Sequence, residues 1–207
     1  AIILATELAQ GTDVVLIDAD PARRLSRWAG LAALPARIEV VTSLGERTIQ
    51  DEIAAARSRA AFVLIDLEGS ASRLTSFAVS ESDLVIVPTG DEQQDADEAV
   101  ETLAQIAMEG RARRQEIPAA ILFARTNAAV KSKLEKHING QLRGATRVFT
   151  TELNRRTAFS SLHNMGGGLR DLDPREVNGI DKAIDNAQSF AAEVIDMLEG
   201  MRHAQVA

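Results

Sequence analysis

Cysteine is absent from this chain of 207 residues. That excludes disulfides, thiolate metal sites and cysteine nucleophiles together, and it fits a reducing cytoplasm. Aromatic residues make up only 3%, so the core has to be assembled from Ala, Val, Ile and Leu. Only three histidines occur, His137, His163 and His203. They are scattered without ligand spacing, read as surface residues, and none stands near an acidic motif. No apolar run approaches the length of a membrane span, and no signal peptide is visible. A formal charge of −7 argues against a strong general nucleic-acid binder while leaving room for a local basic face. What remains is 45% hydrophobic and 26% charged, the balance of an ordinary globular protein. The length predicts a single domain, residues 1–207, large enough for a proper core.

The most informative stretch is Val14-Val15-Leu16-Ile17-Asp18-Ala19-Asp20-Pro21. Four apolar residues without alternation suit a strand buried on both faces of a parallel sheet. Pro21 has no backbone N–H and biases Asp20 away from helix, so the strand stops there. Both carboxylates then lie at the carboxyl end of a parallel strand, where open α/β sheets hold their ligands. A second stretch, Phe62-Val63-Leu64-Ile65-Asp66-Leu67-Glu68-Gly69, repeats the design. Two buried strands delivering acids to one edge make the geometry of a magnesium-nucleotide site; the plainer alternative is a pair of capped strand ends.

Strand and helix patterns alternate along the rest of the chain. Residues 1–9 read as helix stopped by Gly11, without a capping residue before Ala1, as though it were the back half of a longer helix. A short helix follows at 22–28, a strand at 38–41, a helix at 45–59, a strand at 62–67 and a helix at 70–79. Residues 84–88 form a strand ended by Pro88. A long helix from Asp91 to about Arg113 has acids in its first turn and arginines near its last, the order that suits the helix dipole. A fifth strand at 119–124 ends at Arg125-Thr126-Asn127. Asn127 heads a helix with the stripe Val130, Leu134, Ile138 and Leu142, and 147–150 reads as a sixth strand. A short helix at 157–164 runs into Gly166-Gly167-Gly168, read as a flexible surface loop because no strand feeds it and no lysine follows. The last helix covers 180–198. The alternation predicts an α/β fold: a doubly wound, mostly parallel sheet with helices on both faces.

These segments together resemble the ParA/MinD family of deviant P-loop ATPases over nearly the whole chain. Val15-Leu-Ile-Asp-Ala-Asp-Pro21 is similar to that family's second nucleotide motif, Phe62 to Asp66 to its Walker B strand, and Asp83 to Pro88 to the strand after it. The resemblance is strongest to the VirC-type branch, which serves T-DNA transfer and is related to plasmid-partition ATPases. Asp18 to Trp28 and Arg156-Thr-Ala-Phe159 carry it. Two features depart from the family. Its glycine- and lysine-rich phosphate loop is nowhere in these residues and is expected just upstream of Ala1. Leu67-Glu68-Gly69 stands where the family commonly has a small residue and then prolines.

The resemblance implies an ATP hydrolase that uses ATP and Mg²⁺. Asp20 would orient or activate the attacking water, Asp18 and Asp66 would act on Mg²⁺, and Gly69 would sense the γ-phosphate. Arg125, Thr126 and Asn127 lie where the family contacts adenine, although Asn127 reads equally well as a helix cap. The family forms ATP-dependent homodimers, binds DNA nonspecifically and answers to a small stimulating partner protein, in the cytoplasm and on the nucleoid. The DNA candidates are Arg111, Arg113 and Arg114; Lys131, Lys133 and Lys136; and Arg155 with Arg156. Such binding weakens steeply with salt. A membrane partner is not expected, because Asp181, Asp185, Glu193, Asp196 and Glu199 on the last helix would be repelled by anionic lipid. The alternatives are a noncatalytic adaptor of the same fold and a P-loop amidoligase or synthetase.

Overall fold

The computed structural model describes residues 1–69, 71–127 and 133–206. The chain packs as two compact units, Ala1–Glu81 with Arg156–Gln188, and Ser82–Arg155 with Ser189–Ala207.

In the first unit, helix α1 (Ile2–Leu8) leads into strand β1 (Val14–Asp18), α2 (Arg24–Ala29), β2 (Ile38–Thr42), α3 (Ile49–Arg57), β3 (Phe62–Asp66) and α4 (Arg73–Ser80). The three strands form a sheet in the order β2-β1-β3, and both pairings are parallel. As the unalternated apolar run requires, every residue of β1 is buried. Side chains alternate across a strand, so β1 serves two layers. Val15 and Ile17 pack with Ile49, Ile53, Ala56 and Ala78 of α3 and α4. Asp18, on the opposite face, meets α2 through Ser26. Helix α3 begins later than the pattern suggests because Gly45 takes a φ of +113°, outside helical space.

Helix α7 (Thr157–Met165) and a short 3₁₀ turn (Leu169–Asp171) return to this unit. Gly166 to Gly168 are buried, which overturns their reading as a flexible surface loop. The Trp28 indole N–H donates to the Gly167 carbonyl at 3.0 Å, and a Cβ on Gly166 would stand 2.9 Å from Ala32 at a φ of +76°. The glycines are there for close approach. Nearby, Arg170 grips the buried Glu7 carboxylate with two hydrogen bonds of 2.7 and 3.0 Å.

The second unit holds β4 (Val85–Thr89), α5 (Gln93–Arg113), β5 (Ala119–Thr126), α6 (described from Lys133 to Ala145) and β6 (Leu153–Asn154). Its sheet runs β4-β5-β6, again parallel throughout. Pro88 does not end β4 but sits inside it, opposite Leu122. Among the described residues β4 is paired on one side only, and its unpaired side tolerates the missing N–H. Residues 147–150 do not form the expected strand; Val148 makes a single parallel bridge to Ile121. Past Phe149, whose amide still donates to the Ile121 carbonyl, the carboxylate of Glu193 in α8 (Ile180–Val206) accepts the amides of Thr150 and Thr151 at 2.6 and 2.8 Å. Those donors are thereby diverted from a ladder. Phe149 and Phe190 meet edge to face, 5.4 Å apart. Ile138 and Leu142 of the predicted stripe are buried. Val130 and the side chain of Leu134 lie outside the described residues.

Candidate nucleotide and cation site

Parallel registration decides the site of the first unit. Asp18 pairs directly with Asp66 across β1 and β3, and with Thr42 across β1 and β2. Register partners in a parallel sheet share a face, so Asp18 and Asp66 project from the same side at the carboxyl edge. The backbone ties the edge together: the Ala19 amide donates to the Asp66 carbonyl and the Ser43 amide to the Asp18 carbonyl, both at 3.0 Å. Asp20 follows in a tight turn, its Oδ1 accepting the Ala22 amide at 2.7 Å.

The carboxylates differ in what surrounds them. Asp18 is fully buried. Its Oδ2 accepts the amide and hydroxyl of Ser26 at 2.8 and 2.5 Å. Its Oδ1 is buried and, among the described residues, without a hydrogen-bond partner. Asp66 is partly exposed. Burial pushes its carboxyl above the usual carboxylate range; repulsion by Asp18 and Asp20 adds to the rise, and Arg24 opposes it. Arg24 stands 4.0 Å from the Asp20 carboxylate, too far and too exposed to neutralise the cluster.

Arg23, at the start of α2, adopts a left-handed φ of 50°. Its guanidinium donates to the Asp18 and Ser43 carbonyls at 2.6 and 2.9 Å. A non-glycine residue in that conformation is strained unless its surroundings hold it, and these two bonds supply the hold. The positive charge is spent on carbonyl oxygens, so the Asp18 carboxylate stays available to a cation.

An unpartnered buried carboxylate oxygen costs about 1–3 kcal/mol or more, and a divalent cation or its water would remove that cost. Among the described residues no three acids or histidines gather as a complete metal cage. Mg²⁺ does not require one, since it keeps several waters and takes one or two carboxylates plus phosphate oxygens. The donor set therefore fits Mg²⁺. Gly69 is exposed, with nothing within 4 Å of the position a Cβ would take. Residue 70 beside it lies outside the described residues.

Two contributors escaped the sequence reading. Ser26 is separated from Asp18 by a turn and part of a helix, and only its position in α2 aims its donors back at the strand. His163 of α7 was expected to be remote from the acids. Instead, partial burial, with Arg24 adding to it, holds its imidazole below its ordinary pKa, with Asp66 pulling the other way. It lies within electrostatic reach of the cluster.

The remaining candidates belong to the second unit, except Arg156. Arg125 is exposed at a φ of 59°. Thr126 is buried, and its hydroxyl accepts from Asn154 Nδ2 at 3.0 Å. Asn127 is exposed, and the start of the helix it was expected to cap lies outside the described residues. Arg111, Arg113 and Arg114 cluster at the exposed end of α5, with Arg113 3.8 Å from Glu109. Lys136 and Arg155 are exposed. Lys131 and the side chain of Lys133 lie outside the described residues. No described helix is long and apolar enough to cross a membrane.

Solved structures with the same architecture define the class. A plasmid partition protein from Borrelia burgdorferi B31 bound to AMPPNP superposes with a TM-score of 0.69 at 16% identity, covering 95% of this chain and 91% of that one. The septum site-determining protein MinD from Pyrococcus horikoshii OT3, complexed with Mg-ADP, matches with a TM-score of 0.69 at 11% identity, over 93% of this chain and 88% of that one. The fold is that of the ParA/MinD P-loop NTPases. In sequence, the model of the VirC1 protein family matches residues 2–200. Protein ParA of Rhizobium radiobacter is 34% identical over 200 residues, which cover 96% of this chain and 90% of that protein. The chain belongs to the VirC1 family.

Proposed function

We propose that this chain is the ATP-hydrolysing component of a DNA partition or T-DNA transfer system, acting in the cytoplasm as an ATP-dependent homodimer. The observation that carries the proposal is the fully buried Asp18, whose Oδ1 has no described partner, held beside Asp66 at the carboxyl edge of the sheet. Membership of the VirC1 family and the shared ParA/MinD fold give that cluster its context.

In this reading Asp18 and Asp66 would hold Mg²⁺, directly or through its water, and the ion, when bound, would supply neutralising charge to the phosphates in an in-line transfer that depends on positioning far more than on covalent chemistry. Asp20 accepts a hydrogen bond from the attacking water, its carboxylate fixed by the turn to Ala22. Gly69, with no Cβ, lets its amide approach the terminal phosphate closely. Arg125, Thr126 and Asn127 border the adenine. Arg111, Arg113, Arg114, Lys131, Lys133, Arg155 and Arg156 contact DNA phosphates, and a small partner protein stimulates turnover.

The deciding measurement is phosphate release by Asp20→Ala in the natural gene product. The variant should retain ATP binding while turnover falls by about 100-fold, the scale of a lost general base. Turnover equal to the unsubstituted protein would remove Asp20 from its role.

A further inference from the structure

We propose that Ser26 is a positioning residue that selects which oxygen of Asp18 meets the cation. The inference rests on the cation reading above and assigns a task to a residue outside the carboxylate cluster. A carboxylate turns broadly about its terminal torsion and, left alone, presents either oxygen. Here one residue supplies two donors to one oxygen, a backbone N–H at 2.8 Å and a hydroxyl at 2.5 Å, both on Oδ2. The carboxylate plane is thereby fixed, and Oδ1 alone is left over.

The hydroxyl is itself held. Ser26 Oγ lies 2.9 Å from Thr42 Oγ1. Ser26 has only one hydroxyl hydrogen and gives it to Asp18, so Thr42 is the donor of that contact. The chain of donors runs from Thr42 of β2, through Ser26 of α2, to Asp18 of β1. Arg23 locks its frame by bonding the carbonyls of Asp18 and Ser43. All the donors on Oδ2 are neutral, so Asp18 is oriented without its charge being cancelled. Outer contacts of this kind set ligand geometry and commonly change metal affinity 10- to 100-fold when removed.

The test uses Mn²⁺ as probe, titrated into the natural gene product and followed by the electron paramagnetic resonance of the free ion, with circular dichroism as the check on folding. Ser26→Ala should weaken Mn²⁺ binding about ten-fold, Ser26→Thr should restore it, and Asp18→Asn should abolish it. Wild-type affinity in Ser26→Ala, with binding lost in Asp18→Asn, overturns the positioning role and leaves the cation reading standing. Binding unchanged in Asp18→Asn, or absent from the unsubstituted protein, overturns the cation reading and this proposal with it. If Ser26→Ala fails to fold, Thr42→Val removes only the outer donor. A measurable weakening then supports the chain of donors, and wild-type affinity overturns it.

Discussion

Strands β1 and β3 carry the same four residues, Val-Leu-Ile-Asp, and end in different chemistry. Val15 to Asp18 lie in the middle of a three-stranded sheet, paired on both sides and buried throughout. Among the described residues, Val63 to Asp66 pair with β1 alone and are half-buried along the whole strand. The Asp18 carboxylate is held by two donors from Ser26, whereas Asp66 is pushed toward its neutral form by burial and by its acidic neighbours. Identical local sequence gives each strand its conformation and its acid. Position in the sheet decides whether that acid is oriented or merely crowded.

The comparison can be broken most forcefully at the strand centres. Leu16→Ala should cost about 3 kcal/mol, within the range for a buried leucine, because Leu16 is fully buried. Leu64→Ala, on the half-buried strand, should cost about 1–1.5 kcal/mol, half the transfer energy of a fully buried side chain. Equal losses in denaturant unfolding would mean that the two strands are equivalent after all.

A smaller effect sharpens the contrast between the acids. Folding raises the Asp66 pKa above its ordinary value, so the folded state holds a proton that the unfolded chain has released. The associated stability is present below that value and is lost as pH rises through the raised folded pKa. Asp66→Asn should therefore stabilise the ligand-free protein near pH 7 by on the order of 1 kcal/mol, discounted for partial exposure. The gain should fade toward pH 3. Thermal unfolding across that range measures it, and a gain that grows on acidification would reverse the sign of the argument.

The smallest effect belongs to Arg24. Its exposed pairing with Asp20 spans 4.0 Å, and Arg24→Ala should change stability by less than about 0.5 kcal/mol. A larger loss in chemical denaturation would show that the acidic cluster depends on this arginine for its charge balance.

Much of the fold was legible because its signals are local. Apolar runs marked β1 and β3, the dipole order of charges marked α5, and the stripe in α6 placed Ile138 and Leu142 in the core. Three of the misreadings concern contacts made at a distance. The glycines at 166–168 look like a loop until Trp28 and Ala32 approach them. Residues 147–150 look like a strand until the Glu193 carboxylate takes the amides of Thr150 and Thr151. His163 looks remote until α7 returns to the first unit.

The sequence by itself determined strands β1 and β3, the acids at their ends and the family, because each follows from residue order over a few positions. Tertiary structure alone decided that Asp18 and Asp66 share a register and a face, and that Ser26 fills one oxygen of Asp18 while the other is left without a described partner. The physical reason is that a hydrogen bond acts over about 3 Å of space. Which groups come that close is fixed by the pairing of strands and the packing of helices, not by their separation along the chain.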